Sequence, residues 1–358
     1  MIRLNGTITS FMGTAYTGNG IVHNYAELLG RASKAVLLKA PPTGALSGLL
    51  REIGVHYLKS GYDIELFHDP LTPDGVDAVW VPKPGFLFVQ ASRPVALEPA
   101  HIGGPHRVVT FYDSYDEDRL RLQNGFIRET AEKGEQALAK MLASMDKAKK
   151  LHDEMEKANQ RRMSWELADA LAGSLKEELF GNISLNKPAS VSNRYIGTLT
   201  AGGARDHFPN VTKGLDRRLL IKAHPGTGKS TIMRMLGKEA EARGFDLLYG
   251  WCALDPGSID LLVIPELSLC LFDATEPHVY NPEREGDRII DMVGMCREDA
   301  AAEKESAESE ERYRGHIQDA RAWMGTYAET VHAVRARMDS AIDPEKWAVN
   351  VARVKDQL

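Results

Sequence analysis

The run GTGKST, residues 226–231, combines the residue types that bind phosphate groups. In a Walker A loop the glycines let the backbone approach a phosphate, while the lysine and the hydroxyl that follow reach the terminal phosphates and Mg²⁺. We therefore predict nucleotide contacts at all six positions, Gly226, Thr227, Gly228, Lys229, Ser230 and Thr231. Ala223 stands where such loops usually have their first glycine. The alternative is a glycine-rich turn with an incidental lysine.

The polar residues of this run have distinct predicted roles. Lys229 would reach the β- and γ-phosphates and stabilise the charge of the transferred phosphoryl group. The Ser230 hydroxyl would bind Mg²⁺, and Thr231 would contact the α-phosphate. A second acid is needed to hold the metal, and Asp273, at the end of the apolar run LSLCLFD, is the candidate. The alternative is that Asp273 only caps the next turn.

Residues beyond Asp273 could act on the nucleophile. In the run DATEPH the polar side chains are Thr275, Glu276 and His278. We predict that Glu276 is the catalytic residue that positions the attacking water or a substrate hydroxyl. Glu266, in VIPEL, is a rival that also fits a solvated loop acid. His278 fits a hydrogen bond within a turn better than a catalytic role.

The flanking segments predict the elements that would hold this loop. RRLLIK, residues 217–222, is typical of a buried strand, and STIMRMLGKEAEARG, residues 230–244, is typical of a helix. In that helix Ile232, Leu236 and Ala240 recur on one face. A strand, a glycine-rich loop and a helix N-terminus form an anion cradle, because the backbone N–H groups and the helix dipole both favour negative charge.

The chain also repeats itself. After a shift of 183 residues, residues 37–99 align on residues 220–282 without a gap, with sixteen identical positions. Many of the identical residues are Gly, Pro or Asp, which tend to fix the backbone shape. With one inserted residue the match extends upstream, where FMGT (11–14) aligns on YIGT (195–198). This pattern indicates a tandem duplication.

The first loop, KAPPTGAL (residues 39–46), is the counterpart of the second loop, KAHPGTGK (residues 222–229). At the aligned positions Thr43 replaces Gly226, Ala45 replaces Gly228, Leu46 replaces Lys229 and Gln90 replaces Asp273, while Ser47 matches Ser230. One hydrogen bond to a charged group is worth about 1.5–3 kcal/mol, so the combined losses should abolish ordinary Mg-nucleotide binding. We predict that the first loop is a relic on a retained fold.

Alternating strands and helices predict an α/β fold with mainly parallel sheets flanked by helices. We predict two tandem P-loop NTPase-like domains, each with an appended α-helical arm. The first, residues 1–183, carries the relic loop and an arm at about 127–180. The second, residues 193–358, carries the intact loop and an arm at about 298–358. The polar, proline-containing segment 181–192 is the predicted linker.

Both arms carry a seam of apolar or small residues at heptad-like spacing. The seam residues are Leu138, Met141, Met145, Ala148, Leu151 and Met155 in the first arm, and Ile317, Ala320, Met324, Tyr327, Val331, Val334 and Met338 in the second. Packing against the same domain or the other arm is the favoured interpretation, and a protein partner bound through the arms is the alternative. His152 with Asp153, Glu154 and Glu156 could suggest a metal, but adjacent helix residues do not face one point, so we expect a solvated face.

Composition excludes several classes of protein. The chain has 358 residues, of which 43% are hydrophobic and 26% charged, as in folded globular proteins. The net charge of −6 provides no global basic field for nucleic acid. The N-terminal residues lack the pattern of a signal peptide, and no apolar run approaches the length of a membrane span. The three cysteines show no CxxC spacing, so we predict a reduced, cytoplasmic protein with no membrane segment.

The second half resembles a family of uncharacterised bacterial tandem P-loop ATPase-like proteins. The resemblance rests on the second loop and on three further segments, CALDPGSID (252–260), IPEL (264–267) and DATEPH (273–278). In that family each half carries a loop and segments of this kind. This chain departs from the family in its first half, where the loop residues and the acid are replaced. The resemblance implies binding of ATP or GTP and does not imply a particular reaction.

Taken together, these patterns predict an ATP-binding protein, with GTP as an alternative, that hydrolyses the nucleotide with Mg²⁺ at one site. A small-molecule kinase is a second reading, in which GWCALDPGSID with Arg284 and Arg288 would line the acceptor pocket. A third reading is a nucleotide-gated interaction module whose arms hold a partner protein. The sequence leaves these three open.

Overall fold

The computed structural model describes residues 5–72, 74–100 and 103–358, which form an α/β structure built on a large sheet flanked by helices. The strands are β1 (Ile8–Met12), β2 (Thr14–Thr17), β3 (Gly20–His23), β4 (Lys34–Lys39), β5 (Ile64–His68), β6 (Val76–Val81), β7 (Phe86–Gln90), β8 (His106–Thr110), β9 (Val191–Tyr195), β10 (Gly197–Thr200), β11 (Gly203–Asp206), β12 (Arg217–Lys222), β13 (Leu247–Trp251), β14 (Ile259–Ile264), β15 (Leu269–Asp273) and β16 (Asp287–Asp291). The helices are α1 (Tyr25–Arg31), α2 (Ala45–Lys59), α3 (Glu117–Arg162), α4 (Trp165–Phe180), α5 (Phe208–Val211), α6 (Lys229–Ala242), α7 (Ala300–Asp339) and α8 (Pro344–Lys355).

The two halves of the chain follow the same order of elements. The large sheet has twelve strands in the order β8-β4-β7-β6-β5-β1-β9-β13-β14-β15-β12-β16, so the second half mirrors the first about the β1–β9 boundary. In each half five of the six strands run parallel, and the remaining one, β6 or β14, is antiparallel to both neighbours. The hairpins β2–β3 and β10–β11 also correspond. The segment 181–192 lies at the point where one set of elements ends and the next begins.

A single sheet spans both halves, whereas the sequence predicts one sheet for each. The two sets of strands join where β1 and β9 pair antiparallel, through Met12 and Tyr195. An unpaired strand edge exposes backbone N–H and C=O groups. Beyond this one residue pair, the Asn210 side chain accepts the N–H of Ser10 at 2.6 Å and donates to the carbonyl of Ile8 at 3.2 Å. No local pattern in either strand predicts the β1–β9 contact, because it joins residues 183 positions apart.

The parallel strands bring the predicted site residues to one edge of the sheet. The core strands β4 and β12 are buried along Ala35–Leu38 and Arg218–Ile221, as expected of strands covered on both faces. In the second half, β15 lies beside β12 with Ile221 opposite Asp273. The acid at the end of β15 is therefore held next to the start of the second loop. In the first half the corresponding register places Leu38 opposite Gln90.

The long helices α3 and α7 pack against each other as an antiparallel pair. Gln123 near the start of α3 contacts Ser340 just after α7, while Asn159 near the end of α3 contacts Ser306 near the start of α7. Between these ends the predicted seams meet, since the buried side chains of one cluster include Met141, Met145, Ala320, Met324 and Ala328. The apolar surface that could have received a partner protein is thus largely covered by the other long helix.

The shorter helices are exchanged between the halves. Helix α4, which follows the first long helix, packs into the core of the second half through Leu175, Leu179 and Phe180. Helix α8, which follows the second long helix, packs on the first half, where Val354 enters the core. The Asn350 amide of α8 also donates to the hydroxyl of Ser114 at 2.8 Å. Each half is therefore completed by helices that follow the strands of the other.

Among the described residues, none of the helices is both long and apolar enough to cross a bilayer. Cys252, Cys270 and Cys296 are unpaired, and Cys270 is buried.

The seam between α3 and α7 yields a first testable prediction. Met141 is fully buried in it, so Met141→Ala should lower the free energy of unfolding by about 2–5 kcal/mol through lost burial and a residual cavity. The matched control is Leu122→Ala on the same helix, where the side chain is 88% exposed and the expected change is within about 0.5 kcal/mol. Urea denaturation followed by circular dichroism would measure both. Equal shifts in the two variants would mean that the seam does not hold the arms together.

Candidate functional site

The second loop has the backbone path that its glycines allow. It connects β12 to α6, and Gly226 and Gly228 adopt φ angles of +78° and +95°. Such left-handed angles favour glycine strongly, which explains both positions without reference to a ligand. The aligned Thr43 and Ala45 do not have positive φ angles. The first loop therefore follows a different path and is more than a copy with altered side chains.

Lys229 lies at the N-terminus of α6 and points back into the second loop. Its Nζ is 3.3 Å from the Asp273 Oδ2 atom and donates to the carbonyl oxygens of Ala223 and His224 at 3.3 and 3.1 Å. The buried Thr227 hydroxyl donates to the same His224 oxygen at 2.8 Å. The structure thus brings together the predicted lysine and the predicted metal-binding acid in a largely buried pair.

Asp273 is held in place by the residues that follow it. Its Oδ1 atom accepts hydrogen bonds from the backbone N–H of Thr275, at 3.0 Å, and from the Thr275 hydroxyl. These contacts are those of a turn-capping aspartate, the alternative considered for this residue. They occupy one carboxylate oxygen, and the other faces Lys229. Capping and a role at the loop are therefore compatible.

Ser230 has a structural contact that both halves share. Its hydroxyl oxygen accepts the backbone N–H of Ile259 at 2.9 Å, and the hydroxyl of Ser47 accepts the N–H of Val76 at the same distance. In both cases the first turn of a helix is tied to the start of the antiparallel strand. This bond gives a physical reason for Ser47 to persist where the other loop residues have changed. Thr231 is exposed.

Glu276 does not join the lysine and aspartate pair. Its carboxylate is exposed and lies 3.1 Å from the guanidinium of Arg314, a residue of α7. The contact places the long helix of the second half beside the segment that follows β15. Glu266, the rival, forms an ion pair with Lys187 at 2.8 Å and accepts the backbone N–H of Asp246. Neither contact is with the second loop.

Helices α3 and α4, the arm of the first half, form one wall of the candidate site. A Cβ atom on Gly226 would lie 2.6 Å from the Cα and carbonyl oxygen of Glu156, so α3 leaves no room for a side chain there. A Cβ atom on Gly228 would lie 3.3 Å from the ring of Trp165, the first residue of α4. Sequence reasoning missed both neighbours. The loop motif contains no signal for a helix that starts more than 100 residues earlier.

The α3 residues at this wall include a group that could hold a cation. One ligand atom from each of His152, Asp153 and Glu156 lies within 4.8 Å of the others. The expectation that adjacent helix residues cannot face one point is therefore wrong for this group, because long side chains reach across the turn. Burial and the Asp255 charge raise the pKa of Glu156, whereas burial and the Lys149 charge lower that of His152.

His278 anchors the segment DATEPH to the rest of the second half. Its Nδ1 lies 2.9 Å from Asp206 Oδ2, and its Nε2 lies 3.7 Å from Asp260 Oδ2. Tyr280 donates its hydroxyl to the other Asp206 oxygen at 2.6 Å. Burial alone would lower the pKa of His278, but the two carboxylates outweigh it and raise the pKa to about 10. The His278 N–H makes the expected turn hydrogen bond, to the Thr275 carbonyl at 2.7 Å, while its side chain forms a buried clasp between distant segments.

Residues considered for an acceptor pocket have other partners. Arg284 donates to the carbonyl oxygens of Thr212, Lys213 and Leu215 at 2.6–3.0 Å. Arg288 forms an ion pair with Glu178 of α4 at 2.9 Å. The Ser258 hydroxyl donates to Asp255 Oδ2 at 2.8 Å within the turn that leads into β14. These arginines hold loops and helices together and do not meet the second loop.

The clasp at His278 predicts a pH dependence of stability. Because its folded-state pKa of about 10 lies above the ordinary value of 6.5, the clasp stabilises fully below pH 6.5 and is lost as the pH rises toward 10. The urea midpoint of the wild type should therefore fall more steeply between pH 7 and pH 10 than that of His278→Gln. The exposed His56→Gln is the control and should keep the wild-type profile. Parallel profiles for all three proteins would rule out a charged His278.

Comparison with known proteins gives no further assignment. No protein-family model, no curated protein and no solved structure matches this chain.

Proposed function

We propose that the second loop binds a nucleoside triphosphate with Mg²⁺ and that the protein hydrolyses its terminal phosphate. One observation carries this proposal. A glycine loop with two left-handed residues leads into the 14-residue helix α6, and its lysine lies 3.3 Å from the acid at the end of the neighbouring strand. This is the arrangement expected for a phosphate-binding loop with an adjoining metal site.

Charge and hydrogen-bonding capacity both fit an anionic ligand. The first N–H groups of α6 and the positive end of its dipole favour negative charge at the loop. Lys229 donates to two backbone carbonyls of the loop, and these weak acceptors can be exchanged for phosphate oxygens. In the proposed reaction the lysine stabilises charge that develops on the terminal phosphoryl group. The resemblance to tandem P-loop ATPase-like proteins supports the same assignment.

The donor set at the loop suits Mg²⁺, which prefers oxygen ligands and is usually bound by one or two carboxylates together with phosphate oxygens. Ser230 and Asp273 provide a hydroxyl and a carboxylate beside the lysine. Glu276 is not assigned as the catalytic residue, because its carboxylate pairs with Arg314.

We propose that the first loop does not bind nucleotide. Leu46 is buried in the core of the first half, and a lysine at this position would lose its hydration. Gln90 donates its amide to the Val76 carbonyl at 3.0 Å and takes part in the sheet. Leu46 and Gln90 therefore have structural roles, in the core and in the sheet, in place of the phosphate and metal contacts proposed for their counterparts.

A nucleotide-gated interaction is favoured by one specific observation. The backbone of α3 lies directly over Gly226, and Trp165 at the start of α4 lies against Gly228. A ligand in the second loop would therefore touch both helices. Binding that shifts α3 would be transmitted to α7 through the seam. Such a role is compatible with slow hydrolysis that a protein partner stimulates.

The principal test is calorimetric titration with ATP and Mg²⁺. The wild type should bind about one nucleotide per chain, and Lys229→Ala should weaken binding at least about tenfold, because a hydrogen bond to a charged group is worth about 1.5–3 kcal/mol. Lys238→Ala provides a matched control, as it removes an exposed lysine from the same helix. Released phosphate, measured in parallel, separates hydrolysis from binding alone.

For the same titration, the first loop needs a substitution that leaves the packing of the core intact. Leu46 is 1% exposed, so Leu46→Ala would disturb the core, whereas Leu46→Met keeps its volume. Leu46→Met should bind ATP as the wild type does. Two nucleotides per wild-type chain, or equal loss in Leu46→Met and Lys229→Ala, would contradict the assignment of a single site. No binding by the wild type would remove the proposed function.

The contact with Trp165 predicts an optical signal. The indole lies beside Gly228 and is 45% exposed, so binding of ATP with Mg²⁺ should change the intrinsic fluorescence. In Trp165→Phe most of that change should disappear, while calorimetric affinity stays within about threefold of the wild type. An unchanged signal in Trp165→Phe would show that nucleotide binding does not reach the start of α4. That outcome would count against the gating role but not against binding itself.

A further inference from the structure

The last residue of α7 places its carboxylate in the first loop. The Gly44 N–H donates to Asp339 Oδ2 at 3.1 Å, and the Thr43 hydroxyl donates to Asp339 Oδ1. The Thr43 oxygen in turn accepts the N–H of Ala45 at 3.1 Å. The carboxylate therefore lies at the N-terminus of α2, in the loop that corresponds to the phosphate-binding loop of the second half.

The electrostatics of the two helices explain this placement. A carboxylate at the end of α7 is unfavourable for α7 itself, because the C-terminus of a helix is its negative end. The same carboxylate is favourable at the start of the 15-residue α2, whose N-cap residue Gly44 has no side chain to satisfy the free N–H groups. Asp339 supplies from another helix the anion that the first turn of α2 lacks.

The contact is covered on the Thr43 side, while Gly44 is exposed. Thr43 is buried, and a Cβ on Gly44 would lie 3.3 Å from Asp339 Oδ2, so the carboxylate closely approaches the loop backbone. Tyr115 is buried beside the pair, where burial raises its pKa to about 12 and the Asp339 charge acts in the same direction. The neighbouring backbone is also fixed, since Asp116 donates its N–H to the carbonyl of Ala341 at 2.8 Å.

We infer that the first loop is an oxyanion-binding site and that the Asp339 carboxylate occupies it. The ligand class of the loop is thus a carboxylate or a tetrahedral oxyanion, supplied by the chain itself. Its function is to fasten the long helix of the second half to the first half. The inference concerns the first loop alone and does not depend on nucleotide binding at the second.

Chemical rescue tests this inference. Asp339→Ala removes the anion but leaves the hydroxyl and N–H donors in place, so its melting temperature should fall by about 2–6 °C. Formate or sulfate, compared with chloride at equal ionic strength, should restore at least half of that loss in the variant. The same salts should raise the melting temperature of the wild type by much less, because its loop is already occupied. Isothermal titration of Asp339→Ala with sulfate should show a site that the wild type lacks.

The double variant Thr43→Val with Asp339→Ala is the matched control, since it removes one of the two donors and should lose most of the rescue. If Asp339→Ala is too unstable to study, Asp339→Asn keeps the shape without the charge and should show an intermediate loss with no rescue. An Asp339→Ala protein as stable as the wild type would overturn the inference. So would a destabilised variant that formate, sulfate and chloride affect equally.

Discussion

The antiparallel packing of α3 on α7 is the contact on which the rest of the architecture depends. It crosses the boundary between the two halves, and so it delivers α4 to the core of the second half and α8 to that of the first. The same crossing brings Glu156 to the second loop and Asp339 to the first. The two sets of strands also share a hydrophobic core, in which Phe11 and Phe67 of the first half and Phe272 of the second are buried in one cluster. A buried methionine seam is suited to the task, because flexible thioether side chains fill the irregular space between two long helices.

The two loops differ in the residues that the proposed chemistry would need and share residues with a structural role. Both halves keep a serine that ties the first turn of a helix to a strand, through Ser47 or Ser230. The lysine is replaced by Leu46, which extends the core of the first half. The left-handed glycines exist only in the second loop, and the first loop closes on a carboxylate of its own chain instead. The serine persists with a structural bond, whereas the lysine and the acid, whose proposed partners are a nucleotide and Mg²⁺, are replaced.

Local patterns in the sequence predict a large part of this structure. The strand, loop and helix around Lys229 follow from apolar periodicity and glycine placement, and the gapless alignment of the halves anticipates their common order of elements. The exchange of α4 and α8, the single sheet and the Asp339 contact could not be predicted in this way. Each joins segments that are distant in the sequence, through faces that would satisfy several partners equally well. The expectation for the His152 group fails for a related reason. Helical spacing gives the positions of the Cβ atoms and not those of the atoms at the ends of the side chains.

The exchanged arms also determine how the second loop can respond to a ligand. The backbone of α3 lies against Gly226, so a phosphate group that needs more space there must move the helix and not merely a side chain. Movement of α3 is resisted along the seam by buried residues such as Met145 and Met324. Further along α7, it is resisted by Asp339 in the first loop, a charged hydrogen-bonded contact worth about 1.5–3 kcal/mol. The first half would then be the fixed support against which the second half binds the proposed nucleotide. Loosening that support by removing Asp339 would then make α3 easier to displace, and the affinity of the second loop would depend on a residue at the opposite end of the long helices.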